Sequence, residues 1–204
     1  MARGRAATYD EQREAILARA AALFAHRGYA ATTMNDIADA CGLSKATLYH
    51  YYDDKTALLA SICEAHVTTL RALVDDVDAL RLPPEARLRE LIRRFVQAYA
   101  GAQHAHRVLT EDVRFLDAAD RERVLGTERA LVAAIARTVA AVRPELAEAH
   151  LAKPLTMLLF GMINWMFTWM RPDGALDHDA LAPIVADLFL GGLPAVKVPQ
   201  PAAA

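Results

Sequence analysis

Apolar residues recur along this chain at steps of three and four, and no run alternates apolar with polar for long enough to make a sheet. The pattern predicts an all-α fold of about nine helices. The first stripe, Ile16, Leu17, Ala20, Leu23 and Phe24, follows a capping box of Thr8 and Glu11 and stops at Gly28. Two short segments come next. Thr33-Met34-Asn35-Asp36 is a second capping box, opening a helix to about Ala40, and Ser44 caps another that runs to about Tyr51. Between them, Gly42 supplies the positive φ that a tight corner needs and Leu43 plugs the corner with apolar surface. This is the grammar of a helix-turn-helix, with Leu48 facing the core. Asp53 or Asp54 then caps a long helix through Leu59, Ile62, His66, Leu70, Leu73, Val77 and Leu80, ended by Pro83-Pro84. A helix with the stripe Leu88, Leu91, Ile92, Phe95, Val96 and Tyr99 breaks at Gly101, and a short helical stretch follows around His104 to Leu116. Another amphipathic helix runs from about Asp120 to Val142, before Pro144.

From Leu155 to Met170 the character changes, because the segment is apolar on every side. A membrane span needs roughly 20 apolar residues; this run is shorter, contains Asn164 and ends at Arg171-Pro172-Asp173-Gly174, which sets the membrane reading aside. A helix buried between its own core and a second copy of the chain accounts for the all-round apolarity, with Gly161 allowing close backbone approach. The last helix, from near Asp179 to Gly191-Gly192, repeats the theme with Leu181, Ile184, Val185, Leu188 and Phe189. A homodimer through the 155–170 and 181–190 helices is therefore expected.

The chain is long enough to bury a sizeable core, with 204 residues and 54% hydrophobic content. Its formal net charge of -2 gives no global basic field, so any contact with nucleic acid must come from local residues. Cys41 and Cys63 are the only cysteines, each inside a helical pattern, as suits buried thiols in a reducing compartment. The first eight residues carry Arg3 and Arg5 but no apolar segment, unlike a signal peptide, and a cytoplasmic location is expected.

The stretch from Gly28 through Thr33-Met34-Asn35-Asp36-Ile37-Ala38, and then Gly42-Leu43-Ser44-Lys45-Ala46-Thr47-Leu48-Tyr49-His50-Tyr51-Tyr52 with Lys55, closely resembles the DNA-binding domain of the TetR family. The order and spacing of so many positions make the resemblance specific, and it covers about the first quarter of the chain. Tyr51 stands where the family often has His, and Tyr52 where it usually has Phe. The resemblance implies a DNA-binding domain over residues 1–53, a ligand-binding and dimerisation domain over 54–195 and a flexible tail over 196–204. It implies a double-stranded DNA operator as partner, contacted by Thr33, Ser44, Lys45, Ala46, Thr47, Tyr49, His50 and Lys55. Within that set the second helix enters the major groove: Lys45 can bond a guanine or a phosphate, Ser44 and Thr47 can donate to phosphates, and Tyr49 and His50 can touch backbone or bases. Thr33 and Lys55 look like phosphate clamps at helix starts. Thr33 and Ser44 would also serve as caps in any helical protein, and Tyr51 and Tyr52 read as packing residues with a polar tip. Arg3 and Arg5 form either a basic arm on DNA or a disordered tail.

In the C-terminal half, Phe160-Gly161-Met162-Ile163-Asn164-Trp165 through Trp169-Met170-Arg171, with His104, His106, Arg107 and Asp112-x-x-Phe115-Leu116, is similar to the acyl-CoA-responsive branch of the same family, repressors of fatty-acid, steroid and phenylacetate catabolism. The resemblance implies a small-molecule effector, an acyl-CoA such as phenylacetyl-CoA or a fatty acyl-CoA, in an apolar slot lined by Phe95, Tyr99, Asn164, Trp165 and Trp169. Arg87, Arg89, Arg93 and Arg94 are candidates for CoA phosphates or, alternatively, a solvated face paired with Glu85 and Glu90. No other cofactor is expected. Residues two apart on a helix point about 200° apart, so His104 and His106 cannot share a metal. His66 reads as a hydrogen-bonded core residue, and Asn164, buried by pattern, must find a partner. With no Gly-rich phosphate loop, nucleophile elbow or HExxH, an enzyme is not expected. A ligand-released repressor leads; a ligand-independent DNA-binding regulator, or a regulator of efflux sensing a hydrophobic compound, is the alternative.

Overall fold

The computed structural model describes residues 2–171 and 174–198, with residues 2–8 as backbone only. Among these the helices are α1 (Ala2–Arg27), α2 (Met34–Cys41), α3 (Lys45–Tyr51), α4 (Lys55–Ala79), α5 (Pro84–Gly101), α6 (Gln103–Asp112), α7 (Ala118–Val142), α8 (Glu145–Glu148), α9 (Ala152–Asn164), α10 (Met166–Trp169) and α11 (His178–Gly192). Single 3-10 turns follow α6 (Val113–Phe115) and α11 (Leu193–Ala195). The described residues contain no strand, and the all-α expectation stands.

Several helix starts follow from carboxylates that accept an otherwise unpaired backbone N–H. Asp54, rather than Asp53, accepts from the Ala57 amide at 2.7 Å and so opens α4. Asp117 does the same for the Asp120 amide and Asp177 for the Ala180 amide, both at 2.8 Å, so α7 starts two residues and α11 one residue before the expected position. The first helix is a correction. It begins at Ala2, not at a Thr8–Glu11 capping box, so Thr8 lies inside it. The stretch before Thr8 is rich in Ala and Arg, both strong helix formers, which outweigh the single Gly4, and it contains no proline. The side chains of Arg3, Arg5 and Thr8 lie outside the described residues, as do Pro172, Asp173 and the tail from residue 199.

The apolar 155–170 segment is a second correction, being two helices rather than one. At Trp165 the carbonyl accepts both the Thr168 amide at 3.1 Å and the Thr168 hydroxyl at 2.7 Å, three residues on, which tightens the chain and ends α9. This break and the short α8 after Pro144 carry the helix count past nine. The proline in the first turn of α9, Pro154, sits where its missing N–H costs nothing.

The chain divides into two compact units. One holds residues 1–67 and 102–125, the other 68–101 and 126–204. The first unit is filled by Ile16, Ala20 and Phe24 of α1, Ile37 of α2, Leu48 of α3, Leu58, Leu59 and Ile62 of α4, and Val108 and Leu109 of α6, all essentially buried. The second is built on Leu88, Leu91, Ile92, Phe95 and Val96 of α5, Leu131, Ile135 and Val139 of α7, Leu159, Phe160 and Ile163 of α9, and Ala182, Val185, Ala186 and Phe189 of α11. At its C-terminal end Arg143, just past α7, donates to the Leu193 and Val196 carbonyls and pairs with Glu145. One helix among the described residues, α4, is long and apolar enough to cross a membrane by composition, but half of the window that passes this test is buried within the protein. Its Leu58, Leu59, Ile62 and Val67 belong to the first core and its Leu70, Val74 and Val77 to the second.

Candidate functional site

The segment around α2 and α3 is built from the corner outwards. Gly42 takes φ 65° and ψ 28° as the C-cap of α2, its N–H bonding the Ala38 and Asp39 carbonyls. At the other end of α2 the capping box closes: Thr33 Oγ1 accepts from the Asp36 amide at 3.2 Å, while the Asp36 carboxylate accepts from the Thr33 amide at 2.8 Å. The Thr33 hydroxyl, which donates to the same carboxylate at 2.5 Å, the Thr33 amide and Arg27 at 3.6 Å together hold the Asp36 carboxyl below the usual range, the hydroxyl contributing most. Ser44 caps α3 by accepting from the Thr47 amide at 3.1 Å, and the Ser44 and Thr47 hydroxyls lie 2.7 Å apart.

With Leu48 turned fully into the core, α3 presents Ser44, Lys45, Ala46, Thr47, Tyr49 and His50 to solvent. The Lys45 ammonium rests 5.8 Å from the Tyr49 ring centroid, so a cation and an aromatic plate stand side by side on that face. Tyr51 and Tyr52, expected as packing residues, face α1: Tyr51 stacks on Tyr9 at 4.8 Å, and Tyr52 is buried with Arg13 over its ring at 5.7 Å. Thr33 is exposed at the start of α2.

Lys55 is placed differently from the other members of the expected DNA-contacting set. Half-buried at the start of α4, its Nζ donates to the Tyr29 carbonyl at 2.7 Å and the Thr32 carbonyl at 2.8 Å, and it lies 4.3 Å from the Tyr29 ring centroid. Sequence reasoning assigned no role to Tyr29; its signal was an aromatic residue directly after the Gly28 helix stop.

His66 of α4 and His106 of α6 form the hydrogen-bonded core pair that the His66 position suggested, Nε2 to Nδ1 at 3.2 Å. Burial pushes His66 down to about 4. His104 instead packs edge-on against His26 of α1 at 4.9 Å, so the two α6 histidines do point to different neighbours. Among the described residues no group of three or more His, Cys, Asp or Glu is arranged to hold a metal ion.

The residues expected around an effector separate into an inner and an outer group. Phe95 and Tyr99 are only 1% and 6% exposed, with Phe95 edge-on to Tyr99 at 5.9 Å and to Phe160 at 5.7 Å. Tyr99 is driven well above the ordinary phenol range by burial first and by the nearby Glu128 carboxylate second; Glu128 is itself raised by burial. Asn164 keeps its Oδ1 buried with no hydrogen-bond partner, an acceptor one helical turn beyond Phe160. Trp165 and Trp169 are 61% and 56% exposed, and are not gathered with the inner group. The α5 arginines are engaged in ion pairs: Arg87 with Asp78, Arg89 with Asp187, and both Arg93 and Arg94 with Glu90. A cleft of about 430 Å³ beside α5, lined by Gln97, Ala100, Asp177, His178 and Asp179, includes none of the expected effector residues.

Residues 16–62 match the model for bacterial regulatory proteins of the tetR family, and residues 81–193, more than half the chain, match a tetracyclin repressor-like C-terminal domain. The chain is 29% identical over 187 residues to the HTH-type transcriptional repressor KstR2 of Rhodococcus jostii, covering 89% of this chain and 91% of that protein. It is similar to a crystal structure of a TetR-family transcriptional regulator from Bordetella parapertussis, with 36% identity and a TM-score of 0.84 over 91% of this chain and 97% of that one. Its fold is also that of AibR, solved in complex with isovaleryl coenzyme A and operator DNA, at a TM-score of 0.73 and 24% identity over 88% of this chain and 96% of that one. An exposed α3 on a capped helix-turn-helix, carried by a chain that matches both halves of one family, has a single reading: this protein belongs to the TetR family of transcriptional regulators.

Proposed function

We propose that the protein is a cytoplasmic repressor that binds a palindromic operator as a homodimer and is released by an acyl-CoA thioester held in the second unit. The observation that carries the DNA-binding half is the outward face of α3, where Ser44, Lys45, Ala46, Thr47, Tyr49 and His50 are exposed around the buried Leu48. These residues are assigned to base edges and phosphates, and Thr33 to a phosphate at the start of α2. The dimer is assigned to the outer faces of α9 and α11, where Met157, Leu158, Ile184 and Leu188 are exposed large apolar side chains with no cover within the chain. Trp165 and Trp169 continue that apolar surface, and Gly161 leaves open space that a partner backbone can approach.

The effector assignment rests on the interior of the second unit and on the AibR complex. Phe95, Tyr99 and Phe160 supply an aromatic lining, and the buried Asn164 Oδ1 is an acceptor waiting for a donor that an acyl-CoA amide N–H can provide. Release requires two states. If ligand binds only the arrangement in which the recognition helices no longer match the operator, binding shifts the population away from the DNA-competent form. Moving it from almost all to almost none takes about 10⁴-fold preference, which two bound ligands supply together.

The test is a mobility-shift titration of an operator fragment with phenylacetyl-CoA, medium-chain acyl-CoAs, free CoA and the free acids. The thioesters are expected to release the DNA while CoA and acids do not. No effect of any thioester on DNA affinity or melting temperature refutes the effector. A second reading, a regulator of efflux sensing an uncharged hydrophobic compound, is favoured by the α5 arginines, which are engaged with Asp78, Asp187 and Glu90 and not waiting for phosphates. Release by such compounds, with none by thioesters, would establish it.

A further inference from the structure

The loop between α1 and α2 is fastened from below by one side chain. Lys55 donates to the carbonyls of Tyr29 and Thr32, the latter being the residue directly before the α2 cap Thr33. The loop is also tied by Thr32, which is fully buried and gives its hydroxyl to the Gly28 carbonyl at 3.0 Å and its N–H to the Tyr29 carbonyl at 3.3 Å. Tyr29 is itself a hub. Its ring lies under the Lys55 ammonium, its hydroxyl is 3.0 Å from Thr56 Oγ1, Phe24 meets it edge-on at 5.2 Å, and Phe115 stacks on it at 5.1 Å. An ammonium has three donors, and here two reach neutral carbonyls beside an aromatic face, an arrangement that favours the charge staying where it is.

We propose that Lys55 is a positioning residue for operator binding rather than a phosphate clamp: it sets the start of α2 through the Tyr29 and Thr32 carbonyls, with the Tyr29–Phe115 stack holding its ammonium in place. This rests on the operator-binding reading above. The two jobs leave different signatures. A phosphate contact contributes to counterion release, so its loss makes the salt dependence of binding shallower by about 0.9 per contact. A positioning contact changes affinity at every salt concentration alike. It also depends on Tyr29, an uncharged residue that a phosphate clamp does not need.

The experiment uses the full-length dimer and a palindromic duplex selected with the wild-type protein, with affinities measured from low to moderate salt for Lys55→Met, Tyr29→Leu, Tyr29→Phe, Phe115→Leu and the Lys55→Met/Tyr29→Leu pair. Selection of a duplex by the wild type tests operator binding by itself; the variants test only this inference. Lys55→Met is expected to weaken binding roughly 10- to 100-fold, as for loss of charged hydrogen bonds, with the salt slope unchanged. Tyr29→Leu is expected to weaken it as well, and the pair to lose much less than the product of the two factors, because both remove one device. Tyr29→Phe, which keeps the ring, stays near wild type, and Phe115→Leu falls between. Affinities are referred to the folded fraction by circular dichroism, so that a loss of fold does not pass for a loss of binding. A shallower slope for Lys55→Met, or factors for Lys55 and Tyr29 that simply multiply, overturns the proposal.

Discussion

Gly42 shows how a single residue controls the presentation of α3. Its φ of 65° is left-handed, and a Cβ built there meets nothing within 4 Å, so an alanine would suffer only the backbone penalty. Gly42→Ala is expected to cost about 1–2 kcal/mol in urea denaturation, and Gly42→Asn distinctly less. An alanine variant as stable as wild type would contradict that account. His66 gives a second residue-level prediction. Its folded value near 4 lies below its ordinary 6.5, so the folded protein binds fewer protons than the unfolded chain between those limits. Stability is therefore complete above pH 6.5 and declines as pH falls toward 4, by at most about 3 kcal/mol from this group. In His66→Gln, which can still hydrogen-bond His106, thermal melts should lose most of that slope. What was legible in the sequence at this scale was local: the Thr33 and Ser44 caps and the inward Leu48 follow from spacing alone. The partners of His66 and Lys55 were not, since they lie 40 and up to 26 positions away and periodicity carries no information about them.

At the scale of elements, the apolar run from Leu155 to Met170 announced its outer surface without announcing its break. All-round apolarity is visible in composition, whereas the tightening at Trp165 depends on one threonine hydroxyl turning back on a carbonyl. The same asymmetry holds at the first helix, where a good capping box at Thr8 lost to a run of helix formers before it. Leu158 of α9 and Leu188 of α11 are each 65% exposed and test the proposed interface. Leu158→Glu or Leu188→Glu is expected to yield a folded monomer by sedimentation velocity and to lose tight operator binding, because an obligate interface of roughly 2,000 Å² does not tolerate a buried unpaired carboxylate. Dimers that persist at micromolar concentration in both variants would move the interface elsewhere.

For the whole molecule, a net charge of -2 means that no long-range field draws DNA in, so on the operator-binding reading proposed above recognition is left to the two α3 faces of a dimer. Half-sites about 34 Å apart, or a little more, are expected. Selection on randomised half-sites should change at one or two positions for Lys45→Ala and Tyr49→Ala, each lost base contact being worth about 1–3 kcal/mol; unaltered preferences would relegate both side chains to the backbone. The Arg143 contacts reach beyond binding to the question of where a stable chain can stop. Sequence pattern places the final stop at Gly191-Gly192, yet the guanidinium that closes α7 takes its acceptors from Leu193 and Val196. A chain ending at Lys197 keeps both carbonyls, and one ending at Gly192 leaves a half-buried cation facing only Glu145. The shorter chain should melt several degrees lower than the longer, so the five residues from 193 to 197 act as a stopper for the second unit rather than as surplus.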